Sequence, residues 1–116
     1  MTYEEWRDRL AEANDPAFWP ITALDLELSE GRAQFWSDGE AAMVTRVVSY
    51  PGGAVCLDVL AAAGNLRKLT QQIAPAAEEW ARANGLTHLL VAGRPGWTRV
   101  LKNWRHYQNV MVKELA

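Results

Sequence analysis

The chain has 116 residues, a hydrophobic content of 49% and a formal net charge of −2. This length and composition predict one domain with a single core, and no apolar run approaches the ~20 residues that a membrane-spanning helix needs. The N-terminus is charged and acidic, and the chain holds one cysteine, Cys56. We therefore expect an intracellular, cytoplasmic protein without a targeting segment, an internal disulfide or a thiolate metal site.

Charge is distributed unevenly along the chain. Residues 1–40 hold ten acidic and three basic side chains, whereas residues 41–116 hold four acidic and nine basic ones. The densest basic stretch, residues 94–105, contains no acid and four cations: Arg94, Arg99, Lys102 and Arg105. This stretch is either an anion or phosphate site or a solvated face that balances the acidic N-terminal part. A single basic segment in a weakly acidic chain argues against a nucleic-acid partner.

The N-terminal part, residues 1–31, is predicted to be helical. Apolar residues at helical spacing predict a first short helix over residues 3–14, which must end before Pro16 because the residue preceding a proline is pushed out of the helical region. A second short helix is predicted over residues 22–30 and ends at Gly31.

Residues 32–116 are predicted to hold the sheet and one long helix. Two stretches have the composition of tight turns, Asp38-Gly39 and Pro51-Gly52-Gly53. They separate extended, β-branched segments and so predict an antiparallel meander of three strands. The predicted strands of this meander are residues 33–36, 41–50 and 54–60.

The centre of the chain predicts a β-α-β unit. Residues 54–60 and 86–92 are apolar on both faces, as is typical of parallel strands covered by helices. Between them, a long amphipathic helix begins at Asn65, ends at Gly85 and is expected to kink at Pro75. The remaining predicted elements are a short helix and a closing strand, at residues 97–104 and 108–115. The fold class is therefore α/β: one domain with a mixed, mostly antiparallel sheet of about five or six strands and one long central helix.

This element order resembles that of the GNAT acetyltransferase superfamily. The stretch EEWARANGLTHLLVAGRPGWTRVLKNW resembles the family's central helix, following strand and short helix, and NVMVKELA is similar to its final strand. More narrowly, WARANG, GRPGWTRVL and VMVKEL are similar to segments of small GNAT-like proteins encoded by bacteriophages and prophages. The resemblance covers about residues 20–116 and implies a truncated GNAT-like domain.

The resemblance implies an acetyl-CoA site at the turn before the long helix. In the superfamily, a Gln/Arg-x-x-Gly-x-Gly/Ala turn offers backbone N–H groups to the pyrophosphate, which the helix dipole also favours. Here only Gly64 of that pattern is present, because Ala61 and Leu66 occupy the other two positions. The alternative is that Gly64 makes a tight turn and Asn65 caps the helix. The cofactor-binding residues implied by the resemblance are Gly64, Asn65, Leu66, Arg94 and Arg99.

Asp58 and Tyr107 are the candidate catalytic residues. Asp58 interrupts an apolar strand, where a carboxylate is costly to bury unless it is paired or faces a cleft. The resemblance implies that this strand borders the substrate cleft, where Asp58 would act as general base with His88 as its partner. The family's tyrosine acid has no counterpart at the matching positions, and Tyr107 is the nearest hydroxyl. The structural alternatives are a buried ion pair for Asp58 and a packed ring for Tyr107.

The other reactive side chains predict no further chemistry. Cys56 has no adjacent base or cationic motif, which favours a small buried hydrophobe over a nucleophile. The two histidines and the scattered acids lack metal-ligand spacing, so we expect no metal.

Tryptophans are abundant, and three of them lie in the acidic N-terminal part: Trp6, Trp19 and Trp36. Exposed aromatic residues concentrate at interfaces, so these three predict a partner protein or self-association.

Two functions remain open at this point. One is a GNAT-like protein of phage or prophage origin, with an eroded acyl-CoA site and no cofactor, that acts through protein contacts in the virion or in the host cytoplasm. The other is an active N-acetyltransferase that uses acetyl-CoA and an unknown amine.

Overall fold

The computed structural model of the chain describes residues 2–92, 99–107 and 111–115. A four-stranded mixed sheet lies between helices packed on both of its faces. The elements in chain order are α1 (Tyr3–Ala13), α2 (Ile21–Ser29), β1 (Ala33–Ser37), β2 (Ala41–Ser49), β3 (Val55–Gly64), α3 (Leu66–Lys68), a π-helical segment (Leu69–Ile73), α4 (Ala74–Ala83) and β4 (His88–Val91). In the part of the chain described, no helix has the length and apolar character needed to cross a bilayer.

The predicted sheet order is confirmed. The strands lie in the order β1-β2-β3-β4, in which β1, β2 and β3 are antiparallel neighbours and β4 runs parallel to β3. The Asp38-Gly39 turn joins β1 to β2, and the Asp38 carboxylate accepts hydrogen bonds from two N–H groups, those of Glu40 and Ala41, both at 3.0 Å. Both predicted hairpins are therefore formed.

The predicted number of five or six strands is not reached by the described residues, which form four. Residues 111–115 form no strand, and in the region of the predicted short helix Arg99 is 3-10 helical whereas residues 100–104 contain turns. The rest of those two predictions, at residues 97–98 and 108–110, lies outside the described residues. A strand exists only where a neighbour shares its hydrogen bonds, and no described strand pairs with residues 111–115.

Each face of the sheet carries its own core. On one face, the π-helical segment and α4 pack against alternate residues of β2 and β3, with Ala41, Met43 and Leu57 at the centre. On the other face, α1 and α2 bury Trp6, Leu10 and Leu24 against the small residues of the same two strands. Because both faces are covered, these strands are apolar on both sides instead of alternating.

The two N-terminal helices are held together by a polar cluster. The Arg7 guanidinium lies 2.6 Å from the Asp25 carboxylate, and the Tyr3 hydroxyl donates to the same carboxylate at 2.7 Å. These hydrogen bonds, first that from Arg7, hold the pKa of Asp25 below its usual range. The cluster fixes the orientation of α1 relative to α2 and thereby the position of the end of α1.

The long helix is continuous but changes its pitch in front of Pro75. From Leu69 to Ile73 it is π-helical, and the Ala74 N–H donates to the Leu69 carbonyl five residues earlier. In an α-helix, the proline ring would crowd the Gln71 carbonyl, and proline has no N–H to donate. The wider turn relieves this crowding, so the expected kink takes the form of a π-bulge.

Gly64 marks a close crossing of two backbones. It has a φ of +100°, and a Cβ built there would lie 2.5 Å from the Glu40 carbonyl oxygen and 2.7 Å from the Ala41 Cα. The next residue, Asn65, donates its N–H to the same Glu40 carbonyl at 2.9 Å. The end of β3 is therefore fastened to the β1-β2 hairpin at a point where no side chain fits.

We expect Gly64→Ala to destabilise the domain strongly. It adds a left-handed φ penalty to a clash with rigid backbone, for a total cost of about 3 kcal/mol or more. Gly53→Ala is the matched control, because Gly53 has a similar φ of +98° but no heavy atom within 4 Å of the built Cβ. It should cost only about 1 kcal/mol. Urea unfolding of the two variants tests this, and equal losses of stability would contradict the crossing.

Candidate functional site

A cleft opens where β3 and β4 separate. The last residue pair between them is Val59 with Val91, but β3 continues to Gly64. Beyond Val59, β3 keeps β2 on one side and has no described strand on the other. The cleft has a volume of about 540 Å³ and is lined by the end of β3, the start of the long helix, the end of β4 and the end of α1.

A β-bulge lies at the point where the cleft begins. Val44 pairs with Ala61 and Thr45 with Val59, so Leu60 has no residue opposite it on β2. The Asn14 side chain, at the end of α1, donates to the Leu60 carbonyl at 3.2 Å. A bulge bends its strand and increases the local twist. The bulge at Leu60 thus lies directly after Val59, the last residue of β3 that pairs with β4.

The wall that β3 contributes to the cleft carries very small side chains. Ala61, Ala62, Ala63 and Gly64 follow one another along it, and all four line the cleft. In a strand the N–H and C=O groups of successive residues point to opposite sides, so every second residue here directs them toward the cleft. The small side chains allow a ligand to come close to these groups.

At the start of the long helix, Asn65 has the structural role that the sequence offered as the alternative to binding phosphate. Asn65 caps the helix, because its side-chain oxygen accepts from the Lys68 N–H at 3.1 Å. Its own N–H is already donated to the Glu40 carbonyl. Of the three amides suggested for phosphate, that of Asn65 is thus engaged within the protein. Leu66 lines the cleft and is 37% exposed.

Asp58 precedes Val59 on β3 and does not line the cleft. Its Oδ2 accepts from the Tyr50 hydroxyl at 3.0 Å, and its Oδ1 is buried without a partner in the part of the chain described. Burial raises the pKa of Asp58, and the Tyr50 hydrogen bond and the Arg46 charge counteract this rise. The same hydrogen bond raises the pKa of Tyr50.

His88 does not pair with Asp58 as expected. It lies opposite Cys56 in the sheet, and its Nδ1 is 2.7 Å from the Thr87 hydroxyl. The partners of Asp58 are Tyr50 and Arg46, which the sequence analysis did not single out. The hairpin provided a signal for Arg46: counting back from the Pro51-Gly52-Gly53 turn places it directly opposite Asp58.

Arg46 connects Asp58 to the N-terminal helices. Its Nη1 lies 3.2 Å from the Glu27 carboxylate on α2, and its guanidinium stacks over the Trp19 ring at 5.2 Å. Hydrogen bonds from Arg32 and then Arg46 lower the pKa of Glu27. The positive charge opposite Asp58 is therefore shared with a second carboxylate and held in a fixed position.

A larger groove runs along the outer side of β4. It has a volume of about 1190 Å³ and is lined partly by Cys56 and His88 and partly by residues 99–105 and Tyr107. Tyr107 is 64% exposed, and no hydrogen bond among the described residues joins it to Asp58. The two predicted catalytic residues are thus not brought together. Arg99 lines this groove, not the cleft at Gly64, and Arg94 lies outside the described residues.

Cys56 is a buried thiol, as the sequence analysis favoured. Its side chain is 3% exposed, and burial followed by the Asp58 charge raises its pKa. A thiol with a raised pKa is a poor nucleophile at neutral pH.

The N-terminal tryptophans are covered by the domain itself. Trp6 is fully buried, and Trp36 packs edge-on against Trp80 at 5.9 Å and donates its Nε1–H to the Thr45 hydroxyl. Trp19 is half-buried beneath Arg46. Phe18, at 65% exposure, is the aromatic side chain that this part of the chain presents to solvent.

Comparison with protein-family models and with curated protein sequences finds no match. Two solved structures are similar to this chain: TTHA1254 from Thermus thermophilus and a single-residue variant of it. The TM-scores are 0.61 for the wild type and 0.64 for the variant, with 18% sequence identity in both cases. The alignments cover 100% of this chain and 95% of TTHA1254. At this identity the likeness establishes a shared fold.

The raised pKa of Asp58 predicts how stability depends on pH. A carboxyl whose pKa is higher in the folded state holds its proton more tightly there. Its contribution is therefore fully present below the unfolded pKa of about 3.9 and is lost as pH rises through the folded pKa. The Asp58→Asn variant has no carboxyl group at this position, so it does not lose this contribution to stability as pH rises. We therefore expect the variant to gain stability relative to the wild type between pH 4 and 7, as measured by urea unfolding.

Asp8→Asn is the control for this experiment, because Asp8 is exposed on α1. Asp25 and Glu27 contribute pH dependence of the opposite sign, since their pKa values are lowered. Both carboxyls are present in the wild type and in the two variants, so their contributions cancel in the difference between the unfolding free energies. If the unfolding free energies of Asp58→Asn and the wild type depended on pH in the same way, the raised pKa of Asp58 would be contradicted.

Proposed function

We propose that this chain is a GNAT-like domain that binds the thioester-bearing arm of an acyl-CoA in the cleft between β3 and β4. One observation carries the proposal: β3 continues beyond its last pair with β4 to Gly64, and its last four residues, from Ala61 to Gly64, stay paired with β2. Among the described residues, this edge of the strand has no partner, and it lies in a cleft of about 540 Å³. The cytoplasm is the compartment that supplies such a ligand.

The chemistry of the ligand matches a strand edge. The arm of coenzyme A is an extended chain with two amide groups, and an extended amide chain can add to a sheet edge as a further strand does. The run from Ala61 to Gly64 removes side chains that would hold such a chain away from the backbone. Leu69 and Val91 line the same cleft and add apolar surface to its wall.

Binding should depend on the arm more than on the phosphates. The Asn65 N–H is donated to Glu40, and the Lys68 ammonium pairs with the Glu40 carboxylate at 3.4 Å. Both groups are therefore committed within the protein. Arg67, which follows Leu66 in the first turn of the helix, is exposed but lines the larger groove instead of the cleft. We expect modest affinity, with a Kd of about 0.1 mM.

The reaction that follows from this proposal is acyl transfer to an amine. Asp58 is the acid on the strand that borders the cleft, but its carboxylate is hydrogen-bonded to Tyr50. Its other oxygen, Oδ1, has no partner among the described residues, but it is buried and Asp58 does not line the cleft, so an amine bound in the cleft would not reach it. Tyr107 contributes to the other groove. Acyl-CoA binding is thus supported more directly than transfer.

A second candidate is a phage-derived or prophage-derived scaffold that acts through a partner protein, in a virion or in the host cytoplasm. The separation of Asp58 from Tyr107 and the engaged Asn65 amide favour it. In that case Trp19, which is half-buried and lies beside exposed Phe18, is the one of the three N-terminal tryptophans that we expect a partner to contact. Loss of ligand binding would leave this candidate in place.

Calorimetric titration tests the proposal. We expect acetyl-CoA to bind the wild type and S-acetylpantetheine, which lacks the nucleotide, to bind with an affinity within about tenfold of it. Ala92→Trp places a bulky ring at the exposed rim of the cleft and should abolish binding of both ligands. The reason is steric, since an indole ring would occupy the space that the arm requires.

Ala83→Trp is the matched control. Ala83 is also an exposed alanine, at the end of α4, and it lines neither cavity. The control should bind both ligands as the wild type does. Absence of binding to the folded wild type at millimolar acetyl-CoA would overturn the proposal.

A further inference from the structure

β1 lies at one edge of the sheet, and the hairpin determines which of its residues face outward. β1 pairs with β2 on its inner side and has no partner strand on its outer side among the described residues. The Asp38 N–H, directly after the strand, donates to the Ala41 carbonyl and thus points toward β2. Because these directions alternate along an antiparallel pair, residues 34 and 36 also bond to β2. The residues that direct N–H and C=O outward are Ala33, Phe35 and Ser37.

This outer edge carries none of the features that usually prevent pairing with another chain. Beyond the ladder with β2, no backbone hydrogen bond in the described part of the chain involves the three outward residues. Edge strands are commonly protected by a charged side chain, a proline or a bulge. β1 has the sequence AQFWS, and its register with β2 is regular. The edge is therefore open to a further extended strand.

A second copy of β1 matches the pattern of this edge. When two identical strands pair antiparallel about a two-fold axis at Phe35, Ala33 of one copy faces Ser37 of the other. Every outward residue then faces an outward residue, and each facing pair exchanges two hydrogen bonds. One strand thus supplies both halves of the interface, as two-fold symmetry requires.

The charges at the two ends of β1 are complementary in the same register. Arg32 directly precedes the strand and Asp38 directly follows it, and both side chains are exposed. Two-fold pairing places Arg32 of one copy opposite Asp38 of the other, at both ends of the interface. Arg32 contacts the acids of α2 through Nε and Nη1, and Asp38 uses Oδ1 within the hairpin. Among the described residues, Nη2 of Arg32 and Oδ2 of Asp38 have no such contact.

We propose that two copies of this chain associate by antiparallel pairing of their β1 strands, centred on Phe35. The two sheets then become one continuous sheet across the two-fold axis. The clefts at Gly64 stay open, because β1 does not line them. A single pair of short strands buries little surface, so we expect a weak dimer with a Kd of about 0.1 mM. This inference is independent of acyl-CoA binding.

Sedimentation and hydrogen exchange at two protein concentrations test the proposal. At about 1 mM protein, sedimentation should show mostly a dimer of the 13.0 kDa chain, and at about 1 µM a monomer. The outward amides of Ala33, Phe35 and Ser37 should exchange about fivefold more slowly at the higher concentration, since about a fifth of the chains remain monomeric. The amides of Gln34 and Trp36 bond to β2 and should be equally protected at both concentrations.

Two variants of Ser37 isolate the strand pairing. Ser37→Pro removes an outward N–H at an edge position, where proline is compatible with a strand, and should raise the Kd of the dimer more than about tenfold. Ser37→Ala is the matched control, because it also loses the hydroxyl that accepts from the Gly39 N–H but keeps the backbone N–H. It should dimerise as the wild type does. Protected amides at Gln34 and Trp36 report that the hairpin is folded in each variant.

Asp38→Asn provides a second variant that spares the backbone. It keeps an oxygen for the hairpin and removes the charge opposite Arg32, so the Kd should rise about threefold to tenfold at low salt. A wild type that stays monomeric at about 1 mM would overturn the proposal. So would a dimer whose outward β1 amides exchange as fast as in the monomer, or a dimer that is unchanged in a folded Ser37→Pro variant and in Asp38→Asn. Protection of the outward amides in the monomer would show that the edge is covered within one chain, which also contradicts pairing between copies.

Discussion

The architecture depends on the backbone crossing at Gly64. There the end of β3 passes so close to the β1-β2 hairpin that a Cβ would meet the Glu40 carbonyl and the Ala41 backbone. Trp6 of α1 lies against the same point, 3.0 Å from the built Cβ position. One glycine thus determines how the hairpin, the long helix and the N-terminal helix converge. Because the contact is between backbones, no rearrangement of side chains can relieve a larger residue.

The cleft follows from a second irregularity a few residues earlier. A bulge at Leu60 interrupts the pairing of β3 with β2, and Asn14 at the end of α1 donates to the carbonyl of that residue. β4 ends at Val91, opposite Val59, so the pairing with β4 stops where the bulge begins. The free edge from Ala61 to Gly64 exists because pairing with β4 stops while pairing with β2 continues. This edge makes an extended amide-bearing ligand a better match than a compact one.

The candidate site shows where sequence reasoning reaches its limit. Asp58 was recognisable as unusual because a carboxylate within an apolar strand needs compensation. Arg46, its cross-strand neighbour, could have been predicted from the sequence, because the register follows from the turn at Pro51-Gly52-Gly53. The contact with the Tyr50 hydroxyl could not have been predicted in this way, because Tyr50 reaches Asp58 diagonally across the hairpin. His88 was assigned to Asp58 from strand adjacency, but the parallel register places it beside Cys56.

The sequence by itself determined the α/β class, the two hairpins and the parallel pair, because turn chemistry and apolar periodicity act over a few residues. It also offered a helix cap at Asn65 as the alternative to a phosphate site, and the structure shows this cap. The tertiary structure alone decided that the helix absorbs Pro75 in a π-bulge, that β3 separates from β4 at Leu60, and that Tyr107 lies apart from Asp58. These features arise from contacts between residues distant in the chain, such as Asn14 with Leu60, and no local pattern encodes them.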